Sequence, residues 1–254
     1  MRAIAFVDLD DTLFQTVRKC PEDVPANALT PLGYLKDGSP LSYATPRQMS
    51  FIGWLMETTH FVPVTARGLD ALRRVRLPFV AAVCAHGGVV LGDDGEADPA
   101  WAVHVAAQAL THAPMLAALA DAVTREAAAM GLTLAVRVLS EGPVGLYVLV
   151  KHPDANDAQL NAAVDAMIGE VPPGWTVHRN GNNIAIMPPY LGKAHAVAHI
   201  LPGLRQRFPD AATLGIGDSL TDAPFMALCD FAMTPAGSQI ARQFGVGQFH
   251  TGSD

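Results

Sequence analysis

The chain has 254 residues, 50% hydrophobic and 16% charged, so it can bury a core without disulfide bonds and leaves little room for long disorder. Its net charge of -7 and the lack of any Lys/Arg block argue against nucleic acid as a partner. No uninterrupted apolar run approaches the ~20 residues of a membrane-spanning helix, so no membrane partner is expected.

The N-terminus and the cysteines predict a cytoplasmic protein. The apolar stretch at residues 3–7 is shorter than the core of a signal peptide and meets Asp8 at once. The 3 cysteines are scattered and form no C-x-x-C pair, which suits a reduced compartment. The sequence leaves the oligomeric state open.

Short apolar runs alternate with helical patterns in the first and last parts of the chain. The runs predicted to be strands lie at residues 4–7, 61–64, 79–85, 213–216 and 231–233. One helix is predicted to begin with the capping box Thr45-Pro46-Arg47-Gln48, and two more are predicted at residues 194–208 and 224–229. Strands that alternate with helices predict a parallel, doubly wound α/β sheet.

The middle of the chain has a different order of elements. An Ala-rich helical pattern at residues 103–130, which Pro114 is expected to break, precedes two strands around the turn Glu141-Gly142-Pro143. A second helix at residues 156–168 precedes another hairpin, which turns at Asn180-Gly181-Asn182-Asn183. The order helix, strand, strand thus occurs twice, which predicts an α+β insert within the α/β core.

Acidic and hydroxyl side chains follow three of the predicted strands. Asp8 and Asp10 follow the first strand, Thr65 follows the second, and Asp218 and Asp222 follow the fourth. Ligands of open parallel sheets bind beyond the carboxyl ends of the strands, so these residues are expected to meet at one sheet edge. Carboxylates gathered there would repel one another unless a hard divalent cation lies among them, and Mg²⁺ is the expected ion beside a phosphate.

Four motifs, in this order, resemble those of the haloacid dehalogenase (HAD) superfamily. Residues 8–12 (Asp-Leu-Asp-Asp-Thr) resemble motif I, and Val64-Thr65 resembles motif II. Lys193 resembles motif III, and Gly217-Asp218 through Asp222 resembles motif IV. Two acids in motif I characterise the phosphatases and phosphomutases of this superfamily, whereas its dehalogenases lack the second acid.

The resemblance extends to the domain organisation. His86-Gly87-Gly88 resembles the Asn-Gly-Ala stretch that precedes the cap in Cof-type and sucrose-phosphatase-like members, and residues 183–188 resemble the end of that cap. This implies a Rossmann-like HAD core formed by residues 1–88 and 188–254. Residues 89–187 would then form a C2-type α+β cap domain inserted between the two halves of the core.

The resemblance also implies a role for each motif residue. Asp8 would attack phosphorus to form an aspartyl-phosphate, and Asp10 would protonate the leaving alcohol and then activate water. Thr65 and Lys193 would hold the phosphoryl oxygens. The residues implied to form the Mg²⁺ site are Asp8, Asp10 through its main-chain carbonyl, Asp218 and Asp222.

Several polar residues outside the motifs are candidates for substrate binding. Arg67 follows Thr65 closely and either contacts the substrate or forms an ion pair at a helix start. His86 ends a predicted strand beside the cap hinge, where it could contact the substrate. The cap candidates, suited to hydroxyls or a second anion but with turn chemistry as the alternative for the Asn residues, are Arg137, Arg179, Asn180, Asn182 and Asn183.

Two features depart from the Cof-type pattern. Thr221 stands where those relatives usually have Asn before the last acid of motif IV. The stretch between motifs I and II is long, and residues 32–43 predict a hairpin around a turn at residues 36–40. That hairpin is either a flap over the site or a solvent-exposed excursion of the chain.

The predicted function is Mg²⁺-dependent hydrolysis of a small phosphorylated metabolite, with a sugar phosphate or derivative favoured by the resemblance. The alternatives are a phosphomutase, a phosphatase for phosphorylated vitamins or cofactors, and a phosphometabolite-binding protein without activity. Residues 217–220 also spell the GDSL esterase signature, with Ser219 as nucleophile. In that family the signature lies near the N-terminus, and here the one later histidine is His250.

Overall fold

The computed structural model describes residues 2–245, which form two compact units. Of these residues, 2–101 and 193–245 belong to unit 1, and Ala102–Gly192 form unit 2. In chain order the strands and α-helices are β1 (Ala3–Val7), β2 (Gln15–Thr16), β3 (Thr30–Tyr34), β4 (Pro40–Ala44), α1 (Pro46–Thr58), β5 (Thr59–Pro63), α2 (Leu69–Leu72), β6 (Ala82–Cys84), β7 (Val89–Leu91), α3 (Pro99–Ala129), β8 (Ala135–Glu141), β9 (Val144–Lys151), α4 (Asp157–Ala166), β10 (Thr176–Asn180), β11 (Asn183–Met187), α5 (Lys193–Arg207), β12 (Thr213–Ile216), α6 (Ala223–Met226), β13 (Phe231–Met233) and α7 (Gln239–Gln243).

Unit 1 extends further along the chain than the predicted core boundary after residue 88. The strand β7 pairs with β6, so the chain returns to unit 1 after the predicted hinge. The Trp101 indole N–H then donates to the Gly87 carbonyl at 2.9 Å. These two contacts explain why residues 89–101 belong with unit 1.

Unit 1 is built on a four-stranded parallel sheet in the order β13-β12-β1-β5. The central strand β1 is apolar, and its residues from Ile4 to Val7 are fully buried, as expected for a strand covered on both faces. The register aligns Val7 with Ile216 of β12 and with Pro63 of β5, so these three strands end at the same edge. The predicted α/β fold with a parallel core sheet is confirmed.

The third predicted strand is shorter than expected and pairs differently. Of residues 79–85, only β6 forms, and it pairs antiparallel with β7. A single parallel bridge between Val64 and Val83 connects it to the chain that follows β5. The strand ends because the backbone turns back at Ala85 and His86, whose φ angles are +51° and +56°.

The hairpin predicted before α1 is present in unit 1. β3 pairs antiparallel with β4, and β2 pairs with the other edge of β4. The Thr45 hydroxyl accepts a hydrogen bond from the Gln48 N–H, and the Gln48 side chain accepts one from the Thr45 N–H. This is the predicted capping box, and it begins α1 directly after β4. The side-chain amides of Gln48 and Gln15 also exchange two hydrogen bonds, at 2.7 and 3.1 Å.

Unit 2 has a four-stranded antiparallel sheet in the order β10-β11-β9-β8. Apolar side chains on one face of this sheet pack against α3 and α4. Those sheet residues are Val136, Val138, Val148, Val150, Val177, Ile184 and Ile186. Because side chains alternate between faces, the residues between them point to the opposite face, where Tyr147, Leu149 and Ala185 are also buried.

The long helix α3 runs without interruption through Pro114, so the predicted break is wrong. A proline inside a helix removes one hydrogen bond, here to the Leu110 carbonyl, and costs about 3 kcal/mol in a helix interior. Pro114 is exposed and Leu110 is 79% exposed, so water can reach the carbonyl that lost its donor. Fully buried Leu116 and Leu119 pack in the core of unit 2 and stabilise the helix beyond the proline.

Among residues 2–245, α3 is the one helix long and apolar enough, by length and composition alone, to cross a membrane. It is not an uninterrupted apolar run, because polar residues such as Gln108 and Asp121 lie within it. A mostly buried core helix passes the same test; in α3, 22% of the apolar window is buried, and Leu116 and Leu119 pack in the core of unit 2.

Candidate active site

The loop after β1 holds Asp8 at the carboxyl edge of the parallel sheet. The Asp8 N–H donates to the Ile216 carbonyl at 2.8 Å, which ties the start of the loop to β12. The Leu13 N–H donates to the Leu9 carbonyl at 2.9 Å and closes the loop. The Thr12 hydroxyl donates to Asp8 Oδ2 at 3.0 Å, so this residue fixes the Asp8 side chain as well as the turn.

Lys193, the first residue of α5, joins two of the motif acids. Its Nζ lies 2.6 Å from Asp8 Oδ1 and 2.6 Å from Asp222 Oδ1, and all three side chains are buried. Burial alone would lower the pKa of Lys193, but the two carboxylates together raise it above its ordinary value. The ammonium is therefore charged, and it offsets part of the negative charge at the sheet edge.

Three carboxylates remain close to one another around this lysine. One oxygen each of Asp8, Asp218 and Asp222 lies within 4.8 Å of the others. Burial raises the pKa of Asp8 well above its ordinary value, and Lys193 offsets this only in part. Burial, with repulsion from Asp222 and Asp11, raises the pKa of Asp218 to about 6. If all three carboxyls were ionised, the cluster would carry more negative charge than one lysine neutralises.

This donor set fits a divalent cation. Carboxylate oxygens are hard ligands of the type that Mg²⁺ prefers, and three of them surround one point here. A bound cation would also offset the repulsion that raises the pKa of Asp218. Asp8, Asp218 and Asp222 are the side chains that would hold Mg²⁺, whereas the side chain of Asp10 is engaged elsewhere.

The Asp10 carboxylate forms a two-pronged ion pair with Arg67. Arg67 Nε donates to Asp10 Oδ2 and Arg67 Nη2 donates to Asp10 Oδ1, both at 2.7 Å. Of the two roles considered for Arg67, the structure shows an ion pair, and the partner is the predicted proton donor. Arg67 Nη2 also donates to the Ser42 hydroxyl at 2.8 Å. No motif marks Ser42, and the predicted hairpin around it was the only sequence signal.

Thr65, which follows β5, and His86, which follows β6, lie side by side. Both residues are buried, and the His86 N–H donates to the Thr65 carbonyl at 3.2 Å. The Thr65 N–H donates to the Val83 carbonyl, and the Thr65 hydroxyl accepts a hydrogen bond from the Arg67 N–H at 3.1 Å. The backbone of Thr65 is thereby held between β1 and β6.

The motif IV loop is shaped by Asp222. Asp222 Oδ2 accepts hydrogen bonds from the Ser219 N–H at 3.0 Å and from the Ser219 hydroxyl at 2.6 Å. A Cβ at Gly217 would lie 2.5 Å from the Asp222 Cβ, so only glycine fits there. The Ser219 hydroxyl also contacts the Thr221 hydroxyl at 2.8 Å. The hydrogen bonds of the Ser219 hydroxyl thus stabilise the motif IV loop. His250, the later histidine of the esterase hypothesis, lies outside the described residues.

The candidates in unit 2 make contacts within that unit. Arg179 pairs with Ile184 in the sheet, so it lies on the face covered by helices, where it forms an ion pair with Asp165 at 2.6 Å. The side chain of Asn182 bonds the N–H and the carbonyl of His152 at 2.8 and 2.7 Å, which is a turn-stabilising role.

Other candidates lie on the face of the unit 2 sheet opposite the cluster that packs on α3 and α4. Asn180 and Asn183 pair with each other next to the turn, on the face opposite Ile184. Arg137 pairs with Leu149, and Lys151 pairs with Ala135, so both cations share that face. Burial lowers the pKa of Lys151, and the nearby charge of Arg137 lowers it further. None of the ion pairs within residues 2–245 includes Arg137 or Lys151.

Solved structures that share this fold include two phosphatases. Sucrose-phosphatase from Synechocystis sp. PCC6803, in complex with sucrose and phosphate, matches with a TM-score of 0.54 at 16% identity over 98% of this chain and 89% of that one. The C-terminal domain of C. albicans trehalose-6-phosphate phosphatase matches with a TM-score of 0.53 at 14% identity over 88% and 72% of the two chains. No protein-family model and no curated protein matches the chain. The predicted resemblance is confirmed at the level of the fold.

Proposed function

From the fold that the chain shares with these phosphatases, we propose that it is a Mg²⁺-dependent phosphomonoester hydrolase that forms an aspartyl-phosphate. The observation that carries the proposal is the buried Lys193, 2.6 Å from both Asp8 and Asp222, with Asp218 beside them. Buried ion pairs contribute little net stability, because apolar replacements are often as stable or more stable. A buried cluster with perturbed pKa values is therefore better explained by chemistry than by folding.

The first step transfers the phosphoryl group to the protein. A carboxylate oxygen of Asp8 attacks phosphorus while the bond from phosphorus to the leaving oxygen breaks. For this step Asp10 must be protonated beside Arg67 when the substrate binds, and it then donates that proton to the leaving oxygen, which departs as the alcohol. The Thr65 hydroxyl and the Lys193 ammonium bind the phosphoryl oxygens, whose negative charge they stabilise during transfer.

The second step returns the protein to its starting state. Asp10, now a carboxylate, takes a proton from water as the water oxygen attacks phosphorus. The bond between phosphorus and Asp8 breaks, phosphate leaves, and Asp10 is protonated again. When bound by Asp8, Asp218 and Asp222, Mg²⁺ would reduce the repulsion between the carboxylates and the incoming phosphate.

A sugar phosphate or a derivative is the substrate class that we propose. The two phosphatases that share the fold are named for sucrose and trehalose-6-phosphate, and a free cytoplasmic metabolite suits an acidic protein better than a nucleic acid does. Arg137, Asn180 and Asn183 of unit 2 are the residues that we propose as contacts of the alcohol part. The cations there favour an alcohol that carries an anionic group.

Hydrolysis of p-nitrophenyl phosphate tests the reaction. We expect turnover with Mg²⁺, none after EDTA treatment, and a loss of about 10⁴-fold or more in Asp8→Asn, the scale on which removal of a nucleophile acts. Asp70→Asn is the matched control, since Asp70 is an exposed acid in α2. Activity that survives Asp8→Asn or EDTA would disprove the mechanism. Phosphate retained in a rearranged sugar phosphate would instead identify a phosphomutase.

A further inference from the structure

We propose that Arg67 and Ser42 are positioning residues that hold the Asp10 carboxylate in place for proton transfer to the leaving group. This inference rests on the proposed function, because it assigns a task to Asp10 within that reaction. The contacts that carry it lie within unit 1 and join three separate segments: the loop after β1, the strand β4 and the segment between Thr65 and α2.

Arg67 restricts the orientation of Asp10 through both of its oxygens. Two parallel N–H···O bonds of 2.7 Å define the plane of the carboxylate as well as its distance, which a single bond or a lysine could not do. A carboxylate has about four lone-pair sites, so each Asp10 oxygen keeps one for a second partner. Since the Asp10 side chain is 35% exposed, it would rotate toward water without this pair.

Arg67 is itself held from three sides, so it can act as a fixed support. Its guanidinium carbon lies 5.1 Å from the centroid of the Phe14 ring, a cation–π contact. Its Nη2 donates to the Ser42 hydroxyl, and Ser42 is fully buried in β4. A Cβ at Gly33 in β3 would lie only 3.1 Å from Arg67 Nη1, so the hairpin backbone packs closely against the guanidinium.

The chemistry of the leaving group shows whether Asp10 is well placed. An alkyl alkoxide is a poor leaving group, so its departure depends on the proton from Asp10. Nitrophenolate is a stable anion and leaves without a proton. A displaced Asp10 therefore slows the transfer from an alkyl phosphate much more than the transfer from p-nitrophenyl phosphate. The ratio kcat/KM covers the steps up to departure of the leaving group and excludes the later attack by water.

The test compares kcat/KM on p-nitrophenyl phosphate and on β-glycerophosphate, both with Mg²⁺. For β-glycerophosphate we expect a loss of about 100-fold in Arg67→Lys and about 10-fold in Ser42→Ala, within the range that proton transfer contributes. For p-nitrophenyl phosphate we expect losses below about 3-fold, since that substrate needs no proton. Ser39→Ala is the matched control, because Ser39 lies in the turn of the same hairpin and its hydroxyl donates to Asp37, two residues away, rather than to Arg67.

Two results would overturn this inference alone. Equal losses on both substrates would mean that Arg67 and Ser42 serve the structure in general, and unchanged rates on both would mean that Asp10 needs no support. Ser42→Ala removes a single hydroxyl, so it keeps the test decisive if Arg67→Lys does not fold. A wild-type protein inactive on both esters would overturn the proposed function and this inference with it.

Discussion

The two units hold their charged side chains in different ways. In unit 1, Lys193 bridges Asp8 and Asp222, and the three side chains are 8%, 6% and 0% exposed. In unit 2, the ion pair between Arg179 and Asp165 lies at the surface, with exposed fractions of 32% and 62%. The distances from nitrogen to oxygen are the same, 2.6 Å in each case. Distance alone therefore does not distinguish a buried ion pair from an exposed one.

Burial determines how much each ion pair affects the free energy of unfolding. An exposed ion pair contributes about 0–1 kcal/mol, because water screens it and the side chains lose freedom. A buried charge is costly unless its partners stay in place, and removal of one partner destabilises by about 3–5 kcal/mol. Replacing one member of the buried ion pairs in unit 1 should therefore cost several kcal/mol of stability. Replacing a member of the exposed pair in unit 2 should cost little.

The largest expected effect comes from removing Lys193. In Lys193→Met, the buried Asp8 and Asp222 lose their cation, and we expect the free energy of unfolding to fall by about 3–5 kcal/mol. The matched change in unit 2, Arg179→Met, should cost less than about 1 kcal/mol. Urea denaturation at neutral pH in the presence of EDTA measures both variants without a contribution from metal. Similar losses in the two variants would contradict the comparison.

A smaller effect is expected where unit 2 is proposed to bind substrate. Arg137→Gln removes a cation that forms none of the ion pairs found among residues 2–245, so folding should be almost unaffected. If the substrate carries a second anionic group, KM should rise by about 10-fold, as for the loss of one charge-assisted hydrogen bond, while kcat stays within about 2-fold. KM for p-nitrophenyl phosphate serves as the internal control. An unchanged KM across a panel of anionic sugar phosphates would remove Arg137 from the binding surface.

The smallest effect is expected for Asp230, an acid that belongs to unit 1 but has an exposed side chain. It tests whether exposure, rather than the unit, determines the cost of losing a charge. Asp230 in unit 1 accepts hydrogen bonds from the Thr213 N–H and hydroxyl, both at 2.8 Å, and these bonds lower the pKa of Asp230. A carboxyl whose pKa is lower in the folded state than the ~3.9 of an unfolded Asp stabilises the fold above that pH. This contribution disappears as the pH falls through the folded-state pKa.

Thermal melting of Asp230→Asn checks that sign. We expect a small decrease in Tm relative to wild type at about pH 7, and the decrease should disappear as the pH falls through the lowered pKa of Asp230. The change should be much smaller than that of Lys193→Met although both residues belong to unit 1. A difference in Tm that is independent of pH would show that the charge of Asp230 has no role in stability.

Much of the fold could be predicted because buried parallel strands leave a simple signal. β1, β12 and β13 are short apolar runs between polar turns, and the capping box at Thr45 marks the start of α1. The antiparallel pairing of β6 was not predictable, since it depends on positive φ angles at Ala85 and His86. The continuity of α3 through Pro114 depends on tertiary packing, which outweighs the local preference of proline.

The site could be predicted to the extent that its residues follow strands. Asp8 and Asp222 lie together because β1 and β12 are neighbours in register, and this follows once a parallel sheet is assumed. The contacts of Arg67 with Ser42 and Asp10 join residues 25 and 57 positions apart, across an irregular hairpin. No short motif encodes such contacts, so only the folded chain reveals them.

The amide pair between Gln15 and Gln48 has a consequence for motion. Gln48 lies in the first turn of α1 and caps it, while Gln15 lies in β2 beside β4. To swing away, the hairpin would have to break the pairing of β4 with β2, the strand that this pair joins to the capped end of α1. Such a movement is local unfolding and takes microseconds to seconds, far slower than the nanosecond motions of a loop. We therefore expect slow hydrogen exchange at the amides of β4, comparable with that of the first turn of α1.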